Sequence, residues 1–145
     1  MAKQNLFFKT ENGVKSIKTV TSLINSGGHT VALNSTGGVV IHDNSSTSGK
    51  AFDDLKSALK GKTNKKSSLA LNDGGFIDIN IIAEAFISPK SGSLLITSIK
   101  DGNLIYLFDS EEYPNLTGLR DVLVNILIEF DGSTVLKAVD WASFQ

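Results

Sequence analysis

The stretch NSGGHTVALNSTGGVVIH, residues 25–42, decides the fold. One short apolar run lies between two glycine pairs and a second follows them, and the pairs supply the backbone freedom of tight turns. Val31 and Leu33 share one face of a strand over 29–34, and 35–38 turns the chain into the strand at 39–42. The same punctuation recurs further on. Gly92 lies 64 positions after Gly28, and Gly102 lies 64 positions after Gly38. Asn12-Gly13 also has a near counterpart in Asp73-Gly74-Gly75. A shared turn spacing predicts internal repeats over 4–61 and 68–130, and a duplicated small unit points to binding more than to catalysis.

Outward from that stretch, 5–10 reads as a strand, 11–13 as a hairpin turn and 14–24 as a long run rich in Val, Ile and Thr. From 50 to 60, Ala51, Phe52, Leu55, Ala58 and Leu59 form one helical stripe. The second half follows the same order: a strand at 68–72, a long strand at 76–87, strands at 93–99 and 103–108, and a helix at 115–129. Its main stripe is Leu119, Val122, Leu123, Ile126, Leu127 and Phe130, while Val124 and Ile128 add a second apolar face. Residues 133–141 read as an extra C-terminal strand. The expected class is α+β: two tandem β-β-β-β-α repeats with antiparallel sheets, joined by a basic linker at 61–67, in one domain over 1–145.

Composition narrows the function classes. With 145 residues, each half of about 65 supports only a marginal core alone. The net charge of −1 argues against a surface that is basic throughout, and leaves room for a local patch. There is no cysteine, which removes thiolate nucleophiles, disulfides and cysteine-ligated zinc. Residues 1–8 carry no signal-like apolar segment, and no run approaches membrane-spanning length. A cytoplasmic protein is expected, with no membrane partner.

Lys56, Lys60, Lys62, Lys65 and Lys66 place five of the fourteen cationic residues within eleven positions. Clustered lysines contact phosphates without reading base identity, and Lys15 and Lys18 extend the patch if the sheet faces the linker. Phe7, Phe8, Phe76, Phe86, Tyr106, Phe108 and Tyr113 are of the type that stacks on bases, with core packing as the competing role. On the long strand, Phe76 and Phe86 share parity with Asp78 and Glu84, which suits a protein interface. His29 and His42 sit at strand edges with no acidic pair at helical spacing, so neither a metal site nor a catalytic site is expected. Asp53-Asp54 and Glu111-Glu112 lie near helix starts, where the dipole explains them. The glycine pairs lack the lysine and hydroxyl of a phosphate-cradling loop.

Four strands followed by a helix, twice, with Lys60-Gly61-Lys62 in a basic linker, resembles the Pur-alpha and Whirly families over residues 4–130. The resemblance implies a sheet surface that binds single strands within an oligomer. The expected function is thus a noncatalytic, sequence-nonspecific binder of single-stranded DNA or RNA, acting as a homo-oligomer without cofactor. The alternative is a structural or interaction subunit of a phage particle, located in the virion, or a small phage-like inhibitor with a host protein partner. A small-molecule binder at the seam between repeats is a third class. The expected subunit interface is Val124, Ile128, Val135 and Val139.

Overall fold

The computed structural model describes residues 7–10, 12–26, 28–44, 48–60, 67–132 and 139–145. Strands β1 (Phe7–Thr10) and β2 (Gly13–Ser16) form a hairpin; β3 (Val20–Ser26), β4 (His29–Asn34) and β5 (Val39–Asp43) form a meander that leads into α1 (Ser48–Leu59). A second hairpin, β6 (Ser68–Ala70) and β7 (Phe76–Asp78), precedes a second meander, β8 (Ile82–Ile87), β9 (Leu94–Ser98) and β10 (Leu104–Phe108), and then α2 (Leu116–Glu129). The class is α+β, and every strand pair among the described residues is antiparallel.

Among the described residues five strands, not four, precede each helix. The two hairpins also pair differently. β1 and β2 make their own two-stranded sheet, whereas β7 joins β3 to give a five-stranded sheet of order β5-β4-β3-β7-β6. β8, β9 and β10 form a separate three-stranded sheet.

The five-stranded sheet is apolar on both faces. Ile41, Ala32, Leu23 and Phe76 stand opposite one another on four neighbouring strands, and this row packs with Phe52, Leu55 and Leu59 of α1. Their chain neighbours Ile24, Leu33 and Ile77 point to the other face, into a larger core with Leu94, Ile96 and Phe108 of the second meander and Leu119 and Leu123 of α2. A period of two therefore feeds two cores from one sheet. Each fully buried Leu or Ile contributes about 1.5–3 kcal/mol of burial.

Both long β runs expected from the sequence bend in the middle. The run 14–24 turns at 17–19, where Val20 donates its N–H to the Ile17 carbonyl at 3.2 Å and both side chains stay buried. The run 76–87 turns through a 3-10 turn at Ile79–Ile81. The Asp78 carboxylate accepts from the Asn80 N–H at 2.9 Å and from Asn80 Nδ2 at 3.0 Å, and this local bonding competes with the ladder. Each bend moves the chain from one sheet to another. Phe76 and Asp78 are consequently buried and do not project from a polar face.

α2 begins at Asn115, whose side chain caps the Gly118 N–H at 3.1 Å. The expected C-terminal strand is corrected at its end. Trp141–Phe144 is a 3-10 turn, and the Trp141 ring stacks on Phe108 with centroids 5.4 Å apart. Residues 133–138, including Val135, lie outside the described residues. Among the described residues no helix is long and apolar enough to cross a membrane.

Candidate functional site

The β1–β2 hairpin leans on β5, tied by Lys15 Nζ donating to the Val40 carbonyl at 3.1 Å. Register places Phe8 directly opposite Lys15, so an aromatic ring and an ammonium group stand side by side on the hairpin. Between hairpin, β5 and the start of α1 lies a groove of about 660 Å³, lined by Phe8, Lys9, Lys15, His42 and Lys50 among others. Two carboxylates, Asp43 and Asp54, also border it. Lys50 pairs with Asp54 at 2.9 Å one helical turn on, a solvent-exposed ion pair that contributes at most about 1 kcal/mol. The first turn of α1 carries no acidic residue, which corrects the expected placement of Asp53-Asp54 at the helix start; they lie in its second turn, and Asp54 there offsets the charge of Lys50.

The expected basic residues that are described do not gather in one place. Lys15 is bound to β5 at one edge of the five-stranded sheet. Lys56 reaches the other edge, where its Nζ donates to the Asp73 carbonyl at 3.3 Å in the β6–β7 turn, stands 3.8 Å from the Asp53 carboxylate and lies over the Phe52 ring. Lys18 is exposed in the bend after β2, and Lys60 is exposed just beyond α1. Lys62, Lys65 and Lys66 lie outside the described residues. Lys9 and Lys50 border the groove although the sequence pattern did not single them out. Their signal was hairpin spacing for Lys9 and position in the first helical turn for Lys50.

The aromatics divide between core and surface. Phe76, Phe108 and Tyr113 are buried, Phe8, Phe86 and Tyr106 are half-buried, and Phe7 is exposed on the hairpin. Burial pushes the Tyr106 hydroxyl well above its ordinary range, with the Asp73 carboxylate adding to the effect. Tyr113 is raised for the same first reason, and there Glu112 adds to it. These phenols stay protonated and belong to packing.

A second, smaller groove of about 280 Å³ runs between the two larger sheets, from Ile24, Val31 and Leu33 to Leu104 and Ile105. Val39 and Leu104 at its rim are 63% and 54% exposed. His42 borders both grooves. The structure also brings His29 and His42 together, which their positions as separate strand-edge histidines did not suggest. His29 Nδ1 lies 3.0 Å from His42 Nε2, and the rings lie end to end with centroids 5.2 Å apart and planes inclined by 22°. The signal was present in the turn: a connection at 35–38 sets Val31 opposite His42, and His29 follows on the same face two positions back.

On α2, Leu116, Leu119 and Leu123 are buried, Val124 is half-buried and Ile128 is 76% exposed. Val139 packs against the larger core from the C-terminal side. A scan against protein-family models and searches of curated proteins and of solved structures return no match for this chain.

Proposed function

We propose that the protein is a noncatalytic, sequence-nonspecific binder of single-stranded nucleic acid that acts as an oligomer. The observation that carries this reading is the groove of about 660 Å³ that gathers Lys9, Lys15 and Lys50 around Phe8 at the dipole-positive end of α1. Lysines hold phosphates as point charges, and an adjacent ring gives a base a face to stack on. Exposed Phe7 on the same hairpin offers a second stacking surface. Lys18 follows the hairpin in the bend after β2, whereas Lys56 and Lys60 would serve a strand that continues along α1.

The recurring order of hairpin, meander and helix supports reading the chain as a duplicated unit, with Gly28 matched to Gly92. In that reading the groove belongs to the first copy alone, because only the first hairpin stands apart from the central sheet.

The test is a titration of labelled single-stranded DNA and RNA at several salt concentrations. Replacing Lys9, Lys15 and Lys50 together by Ala is expected to weaken binding roughly tenfold or more and to lower the salt slope by about 2, at about 0.7 per lost phosphate contact. Thermal stability should change little, since exposed lysines contribute little to folding. The wild-type protein failing to bind any single strand in a salt-sensitive way would end this reading. The second reading, an interaction subunit with a protein partner, then takes precedence; exposed Val39, Leu104 and Ile99 favour it.

A further inference from the structure

We propose that His29 and His42 form a bidentate surface site for a divalent transition-metal ion of the copper(II) or nickel(II) class, at the border of the larger groove. The two residues are held on adjacent strands of the five-stranded sheet. Val31 is the register partner of His42, and His29 lies two residues from Val31, so both imidazoles stand on one face as a diagonal pair. Both are exposed, and their nearest ring nitrogens are 3.0 Å apart. The strands fix this spacing before any ion arrives, which lowers the ordering cost of chelation.

Two imidazole nitrogens this close can serve as adjacent ligands of one ion once the rings turn toward it. With metal–nitrogen bonds of about 2.0–2.1 Å, a right angle at the ion needs nitrogens about 2.9 Å apart, so the pair suits cis positions of a square or octahedral shell. Imidazole suits copper and nickel, and both accept tetragonal geometry. Among the described residues no cluster of three or more His, Asp or Glu side chains surrounds the pair, so the proposed site has two protein ligands.

Without metal, one ring donates an N–H to the other. On binding, the donor ring moves its proton to its outer nitrogen. The ligating atoms are then His29 Nδ1 and His42 Nε2, with protons on His29 Nε2 and His42 Nδ1. From the neutral pair this is a tautomer shift with no net proton release. Rotation of each ring turns the lone pairs, which lie along the N···N line in the hydrogen-bonded pair, toward the ion.

The experiment uses full-length protein carrying no polyhistidine tag. Nickel(II) is titrated calorimetrically, and copper(II) is followed by electron paramagnetic resonance. The expected result is one ion per chain with a two-nitrogen hyperfine pattern, and nickel(II) bound more tightly than zinc(II). His29→Gln and His42→Gln, both at exposed positions, should each weaken binding roughly tenfold or more and reduce the pattern to one nitrogen. No binding at millimolar nickel(II), unchanged affinity in either variant, or tighter binding of zinc(II) than of nickel(II) would overturn the proposal.

Discussion

At Gly75 the lack of a side chain lets two strands meet. A Cβ there would stand 2.6 Å from the Leu23 carbonyl oxygen of β3, and rigid backbone cannot yield as a flexible side chain would. The residue is also fixed by bonds on both sides: its N–H donates to Asp73 Oδ1 at 2.9 Å and its carbonyl accepts the Leu71 N–H at 2.8 Å. Gly75→Ala is expected to cost about 1–3 kcal/mol, read as a fall in the denaturation midpoint with unchanged slope. A loss below about 0.5 kcal/mol would mean that β7 can withdraw from β3 without penalty. The glycine pair at 37–38 shows what one residue does and does not reveal. A turn was legible there, and its internal assignment was not. Gly37 takes the positive φ of 86°, because the Asn34 side chain accepts the N–H groups of Thr36 and Gly38 and holds Gly38 in ordinary space. Gly102 likewise takes a positive φ, of 73°.

Strand and helix identity followed the apolar period closely, and strand continuity did not. In 76–87, Ile77, Ile79 and Ile81 are all buried even though the chain leaves one sheet for another between them. Alternation records which residues point inward; a corner between two cores preserves that record. The asparagine two places after Asp78 was the one local sign of the break. In 14–24 the corner lies between two buried residues, Ile17 and Val20, with no comparable polar mark. The second helix was legible to within a residue of its ends, including its surplus apolar face. Ile128 remains 76% exposed on that face. Ile128→Lys is expected to lower the oligomer mass in light scattering while helix content holds, because an exposed side chain contributes little to the subunit's own fold. A mass that does not change, or a wild-type monomer at high concentration, assigns Ile128 to solvent.

At the scale of the whole molecule, charge was the least legible property. Sequence density located the lysines between the halves, whereas sheet order decides which of them can share a ligand, and that order sends Lys15 and Lys56 to opposite edges. Neighbourhood along the chain is a poor guide when a sheet is completed by residues some fifty positions away. Pairing of Leu23 with Phe76 is that completion. It makes the protein a piece of joinery whose parts are not the parts its repeats suggest. A break in the polypeptide after Lys60 would leave 1–60 with an open strand edge and an uncovered apolar face on the far side of its sheet. The remainder would keep a short hairpin with nothing to rest on. Fragments 1–60 and 61–145 are each expected to lack a cooperative thermal transition alone and to regain one, with the dispersed amide spectrum of the intact chain, when mixed in equal amounts. A cooperative transition in 1–60 alone would show the seam to be dispensable. If the pieces do complement one another, two intact chains can trade the same hairpin, so the strand that closes one molecule is also the strand by which it could be opened into a pair.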